Sequence, residues 1–99
     1  MELRIQSVNF DASEQLKAFV EKKVKKLTRF TDDIIQSEVI MKVVKPEAPN
    51  NREASIRLSI RSGESFASKT ASTFEEAVDL CIEALEKQIM RAKEKKSEK

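Results

Sequence analysis

The 99-residue chain has no histidine, tryptophan or tyrosine, and it has one glycine and one cysteine. Without histidine it lacks the commonest metal ligand and the commonest general base near neutral pH. Gly63 alone cannot build the glycine-rich loops that hold phosphates in nucleotide-binding enzymes. Cys81 cannot form an internal disulfide, which suits a reducing cytoplasm, and we expect it to be a small core residue. These absences predict a protein that is not an enzyme and that uses no cofactor, metal or small-molecule substrate.

Long apolar segments are absent too. No run of residues approaches the roughly 18–20 apolar side chains that span a membrane, and charges in the N-terminal sequence MELRIQSVNF interrupt any signal-peptide pattern. The length fits one domain, and the hydrophobic content of 39% is enough for a modest core. We therefore expect one cytoplasmic domain over residues 1–96, a disordered tail at 97–99, and no membrane partner.

Four segments have the side-chain patterns of β-strands. Two alternate apolar and polar residues, one is rich in β-branched residues, and the last is weaker, so that its inward face is left unassigned. The sequence SGES predicts a hairpin turn with Gly63 at its tip. The longest loop, 45–53, is polar and holds both prolines. The predicted strands are 2–8, 34–44, 54–61 and 66–72.

Two segments have the apolar period of amphipathic helices. The first runs from about 14 to 30, and Asp11 or Ser13 is available as its N-cap. The second opens with a capping box that joins Thr73 and Glu76. Its apolar positions end near residue 93, beyond which we expect fraying.

The predicted element order is β-α-β-β-β-α. A right-handed crossover places the first strand parallel to the second, and short connections make the later strands antiparallel. Each helix has one apolar stripe, so both cover the same sheet face. The fold class is therefore α+β, a four-stranded mixed sheet with two helices packed on one face. The other face is expected to be open and polar, with residues such as Arg4, Arg57 and Arg61.

Positive charge is concentrated near the two ends of the chain. The formal charge is +3 over residues 1–30, −5 over 31–86 and +4 over 87–99, although the whole chain is only +2. Such segregation indicates an anionic partner more strongly than the net charge does. In the first helix the basic residues form one solvent-facing strip, with Lys23 at its border. The candidate RNA-binding residues are Lys22, Lys23, Lys25, Lys26 and Arg29 in the first helix, and Lys87, Arg91, Lys93 and Lys95 in the second.

Two interpretations of these cations remain open from the residues alone. The strip on the first helix is also what a solvated lysine face looks like, and cations at the end of the second helix suit the helix dipole whatever the function. Two basic helix faces on one side of a small domain nevertheless fit a phosphate backbone better than a small ligand. Since the five phenylalanines mostly fall on core positions, binding is expected to use phosphates and 2′-hydroxyls rather than stacked bases.

Two stretches of the chain resemble ribosome hibernation-promoting factors, also called ribosome-associated inhibitors or ribosomal subunit interface proteins. LRIQSVNFDASEQLKAFVEKKVKKL is similar to the N-terminal signature of this sigma-54 modulation family, and FEEAVDLCIEALEKQIMRAKEK is similar to its second helix. The similarity spans residues 1–96. Two positions depart from the pattern, because Ala84 replaces a common lysine and Glu75 an aromatic residue. The matching residues are Leu16, Phe19, Val20, Lys23, Lys26, Leu27, Ala77, Val78, Asp79, Leu85, Gln88, Arg91, Lys93 and Lys95.

The resemblance implies a cytoplasmic, monomeric short form, related in shape to double-stranded RNA-binding domains. It implies binding to 16S-type rRNA and proteins of the small ribosomal subunit, between head and body, where messenger and transfer RNAs would sit. Translation would then be blocked under stress or in stationary phase. On this hypothesis the two basic helix faces form one clamp for ribosomal RNA. The alternative is a cytoplasmic protein-interaction or regulatory module that uses a sheet edge or the 45–53 loop and binds no RNA.

Overall fold

The computed structural model describes residues 2–29, 34–44, 49–61 and 63–97, with side chains as far as Arg91. It has the predicted α+β architecture and element order. A short 3-10 helix, Leu27–Arg29, continues the first α-helix. No helix in the described ranges is both long and apolar enough to cross a membrane. The other elements are β1 (Glu2–Val8), α1 (Glu14–Lys26), β2 (Ile34–Val43), β3 (Arg52–Ile60), β4 (Gly63–Ala71) and α2 (Phe74–Ser97).

The sheet has the strand order β1-β2-β3-β4. β1 pairs with β2 in parallel, whereas β2, β3 and β4 pair antiparallel, as predicted. The register aligns Ile5, Val39, Ile56 and Ala67 across the four strands. Since side chains alternate between faces along a strand, this row fixes one face as the apolar one.

The core lies between that sheet face and the two helices. Val20, Val24 and Leu27 attach the first helical segment, and all three are fully buried. Phe10 stacks on Phe74 with ring centroids 4.4 Å apart, which joins the segment after β1 to the start of α2. The sheet contributes Ile34, Val39, Met41, Ala54, Ile56, Leu58, Ala67 and Ala71, and α2 contributes Phe74, Ala77, Val78, Cys81, Ile82, Leu85 and Ile89.

Both α-helices begin at a side-chain cap. The backbone N–H of Leu16 donates to Ser13 Oγ at 3.1 Å, so Ser13 rather than Asp11 is the N-cap of α1. The N–H of Glu76 donates to Thr73 Oγ1 at 3.1 Å, which is one of the two hydrogen bonds that make up a capping box. The Glu76 carboxylate accepts instead from the Ser72 hydroxyl at 3.3 Å.

Some predicted boundaries were wrong. β3 begins at Arg52, inside the predicted loop 45–53, because Arg52 pairs with Val43 and also with Ala71. Gly63 is not the tip of the turn: it pairs with Ile60 and is the first residue of β4. Its φ of +146° still favours glycine.

The C-terminal end also differs from the expectation. α2 continues to Ser97, past the predicted fraying point near residue 93, and its last residues are mostly good helix formers such as Lys and Glu. Residues 98 and 99 of the predicted tail, and residues 45–48 of the predicted loop, lie outside the described residues.

Candidate nucleic-acid interface

The exposed face of α1 and its 3-10 extension is the most concentrated basic surface in the described chain. Four predicted residues, Lys22, Lys25, Lys26 and Arg29, are exposed there. Together with Lys23 they line a surface hollow of about 430 Å³. We call these five residues the α1 basic face. The prediction that Lys22, Lys25, Lys26 and Arg29 lie together on the solvent side of the first helix is confirmed.

The helical period explains why these cations point away from the core. Val20, Val24 and Leu27 recur at steps of four and three and are fully buried. Lys22, Lys25, Lys26 and Arg29 lie on the opposite side of the helix, whereas Lys23 lies at the border of the buried stripe. The charge of Lys25 is partly neutralised, because its Nζ lies 3.0 Å from Oε1 of Glu21, one helical turn earlier. This exposed pair leaves most of the positive potential of the face intact.

Lys23 differs from its neighbours because it is held between the two helices. Its Nζ lies 3.0 Å from Asp79 Oδ1 on α2, and its side chain is only 29% exposed. The ammonium also lies 5.4 Å from the centroid of the Phe19 ring, within cation–π range. The sequence placed Lys23 at the border of the apolar stripe, which is correct. The contact with Asp79 could not be read from the sequence, since the two residues are far apart in the chain.

Lys87 and Arg91, the basic residues of α2 whose side chains are described, face β4 rather than α1. Lys87 and Arg91 line a second hollow, of about 350 Å³, together with Lys69 of β4. We call this the α2–β4 groove. Lys69 was missed from the sequence, because the inward face of the fourth strand was left unassigned. Lys93 and Lys95 belong to α2, but their side chains lie beyond the described ones.

Carboxylates separate the two basic surfaces. A third hollow, of about 280 Å³, lies between α1 and α2, and Lys23 and Lys26 line its α1 side. Its α2 side carries an acidic strip that consists of Asp79, Glu83 and Glu86. Among the described side chains, the predicted cations of α1 and those of α2 therefore line different hollows.

The open face of the sheet carries cations of another kind, interleaved with acids. The register places Glu38 between Arg4 and Arg57 on the neighbouring strands. Arg57 Nε also lies 3.6 Å from Glu64 Oε1. Since opposite charges alternate at short spacing, their fields cancel within a few ångströms of the surface. On the same face Phe66 is 51% exposed, although the phenylalanines were expected mostly at core positions.

Cys81 is buried in the core, as predicted. Its thiol donates to the carbonyl oxygen of Ala54 at 3.2 Å. Burial raises the pKa of the Cys81 thiol to about 11, so the reactive thiolate is scarce at neutral pH. Within the described residues, no group of three or more His, Cys, Asp or Glu side chains could hold a metal ion.

Comparisons with known proteins support the fold described above. Residues 3–97 match the family described as "Sigma 54 modulation protein / S30EA ribosomal protein". The N-terminal domain of Protein Y from Thermus thermophilus is similar in structure, with a TM-score of 0.78 and 22% identity over 92% of this chain and 98% of that one. A ribosomal subunit interface protein from Coxiella burnetii has a TM-score of 0.80 and 22% identity over 94% of this chain and 98% of that one. The curated proteins gave no match.

Proposed function

Because the chain belongs to the sigma 54 modulation protein / S30EA ribosomal protein family, whose members associate with ribosomes, we propose that it is a hibernation factor that binds the rRNA of the small subunit. In this proposal the domain occupies the channel between head and body. It silences the ribosome by excluding messenger and transfer RNAs, under stress or in stationary phase. No covalent step is needed, since occupation of the channel is the inhibitory act.

The observation that carries this proposal is the α1 basic face. Its exposed lysines and arginine lie on a helical segment that three fully buried side chains attach to the core. Exposed ammonium and guanidinium groups can reach phosphate oxygens without disturbing the fold. An open hollow lined by five cations suits a phosphate backbone better than a small molecule, which would need a more enclosed and more apolar pocket.

Binding of this kind must depend steeply on salt. Each neutralised phosphate releases condensed counterions, so six to ten contacts weaken binding about 10³- to 10⁵-fold between 50 and 200 mM salt. A protein-interaction module that used a sheet edge would show a much shallower dependence. The slope of log affinity against log salt concentration therefore separates the two hypotheses.

The decisive experiment is co-sedimentation with purified small ribosomal subunits over a salt series. The test variant combines Lys22→Glu, Lys25→Glu, Lys26→Glu and Arg29→Glu, all at exposed positions. We expect it to fold, as judged by circular dichroism, and to lose sedimentation at every salt concentration. The same variant should fail to inhibit translation in a reconstituted system.

The open sheet face offers a matched control with four changes of the same kind, Arg4→Glu, Lys42→Glu, Arg57→Glu and Arg61→Glu. Its net charge equals that of the test variant, so a general effect of charge would weaken both equally. We expect the control to retain most of its binding. Equal loss in the two variants, or binding that is insensitive to salt, would contradict the proposal.

A further inference from the structure

Lys69 is a cation to which neither the sequence nor the family resemblance assigned a role. It lies in β4, the edge strand over which α2 packs, and it pairs in register with Ala54 of β3. Its side chain is exposed and lines the α2–β4 groove opposite Lys87 and Arg91. Two different elements of the fold therefore bring three cations to one hollow.

The groove is held in shape by contacts of its own. Gln88 donates from Nε2 to the backbone carbonyl of Phe66 at 2.9 Å, which ties α2 to the edge of β4. Ala84 and Leu80 also line the hollow. The small side chain of Ala84 leaves space between strand and helix. The apolar surface of Leu80 and Ala84 lies beside three cations, Lys69, Lys87 and Arg91, and one carboxylate, Glu83. The excess of positive charge suits a ribose–phosphate chain, whose sugars can contact the apolar surface while its phosphates reach the cations.

The acidic strip isolates this groove from the α1 basic face. Successive residues on an α-helix are rotated by about 100°, so Glu86 and Lys87 point to different sides of α2. Glu83 lines both the groove and the hollow toward α1, so the acidic strip of Asp79, Glu83 and Glu86 forms an acidic ridge between them. A phosphate chain that ran from one basic surface to the other would have to cross this row of carboxylates, which repels it.

We propose that the α2–β4 groove, with Lys69 as a member, is a second RNA-binding site that takes a phosphate segment separate from the one bound by α1. The inference rests on the proposed function, because it assumes that RNA is the partner. It adds that the domain contacts two segments at once, on either side of the acidic ridge. Two-point attachment would also fix the orientation of the domain on the RNA.

The first test is the salt dependence of small-subunit binding by Lys69→Ala. Loss of one phosphate contact should lower the slope of log affinity against log salt concentration by about 0.7–0.9. The matched control is Lys42→Ala, which removes an exposed strand lysine from the other sheet face and should leave the slope unchanged. If Lys69→Ala leaves the slope unchanged while reversal of the α1 charges abolishes binding, the inference fails and the proposed function stands. If reversal of the α1 charges has no effect, the proposed function itself fails.

The second test asks whether two RNA segments are contacted. An iron chelate that generates hydroxyl radicals is attached to a cysteine introduced by Lys26→Cys or by Lys69→Cys, with Lys42→Cys as the control. Cys81 is fully buried and stays unlabelled in the folded protein. At low salt, we expect the probes at positions 26 and 69 to cleave two non-overlapping sets of rRNA positions, and the probe at 42 to give weaker cleavage. The same set of cleavages from positions 26 and 69 would overturn the inference.

Discussion

The two α-helices arrange their charges differently. On α1 and its 3-10 extension, Lys22, Lys25, Lys26 and Arg29 share one face, and the buried residues lie on the other. On α2 the charges are sorted around the circumference, with Asp79 and Glu86 toward α1 and with Lys87 and Arg91 toward β4. The position of a charge along a helix therefore says little about what it can contact, whereas its position around the helix decides it.

The helices also differ in how they are attached. The helical segment of residues 14–29 has three fully buried side chains, Val20, Val24 and Leu27. α2 extends buried contacts over most of its described length, from Phe74 to Ile89. The basic face of α1 thus depends on fewer fully buried side chains than α2 has, with added contacts from the partly buried Leu16 and Phe19. Three predictions examine this contrast, from the largest expected effect to the smallest.

The largest effect should come from the attachment of α1. Leu27 is fully buried in the 3-10 helix directly beside Lys26. Leu27→Ala should lower the free energy of unfolding by about 2–5 kcal/mol, since it removes buried methyl groups and leaves a cavity. Urea denaturation followed by circular dichroism measures the change.

An exposed apolar residue on α2 provides the control for this substitution. Met90 is 50% exposed, so Met90→Ala should change the free energy of unfolding by less than about 0.5 kcal/mol. Equal losses in the two variants would show that α1 is not held by its few buried side chains, and the contrast in attachment would be wrong.

The second prediction concerns the support that α2 provides. The folded protein holds the thiol proton of Cys81 up to a pKa of about 11, whereas the ordinary value is 9.0. The stability that the protonated Cys81 thiol contributes to the folded protein is therefore fully present below pH 9.0, and it is lost as the pH rises toward 11. The two-unit difference corresponds to about 2–3 kcal/mol of stability.

Comparison of the wild type with Cys81→Ala isolates this effect from the lysines that titrate in the same range. The variant is less stable overall, because it loses a buried sulfur, but its stability should decline less between pH 9 and 11. Thermal unfolding at several pH values measures both curves. Parallel curves would show that the thiol is not the group responsible.

Regular patterns made most of the fold predictable. Alternation in β1 and β3 and the apolar stripe of α1 depend only on neighbouring residues, so the sequence identified them correctly. β4 lacks this information: Ala67 and Ala71 face the core, but alanine and serine alternate there with too little contrast to show it. Consequently Phe66 and Lys69 were not assigned to their surfaces.

The candidate site was predictable to the same extent. The α1 basic face follows from one helical period, so its exposed members were found. The α2–β4 groove and the acidic ridge depend on which element packs on which side of α2, and that is a tertiary property. Cations near both chain ends therefore suggested one clamp, although the packing assigns them to different hollows.

The smallest expected effect concerns the one ion pair that joins the helices within the described residues. Asp79→Asn removes a carboxylate from the ridge and releases Lys23, whose Nζ lies 3.0 Å from it. The pair is partly exposed, so the free energy of unfolding should fall by less than about 1 kcal/mol. The affinity for small subunits should instead rise at low salt by about two- to fivefold, because a repulsive charge is lost and a cation is freed.

A fall in stability together with a rise in affinity would show that the acidic ridge limits RNA contact. A ridge that merely held the helices together would not give the rise in affinity. If Asp79 only positioned Lys23 for binding, its loss would lower the affinity along with the stability. Glu53→Gln on the open sheet face makes the same change in net charge and should leave the affinity unchanged. Denaturation and salt-dependent co-sedimentation of the two variants test this directly, and an equal gain in affinity from Glu53→Gln would mean that net charge, and not the ridge, sets the binding strength.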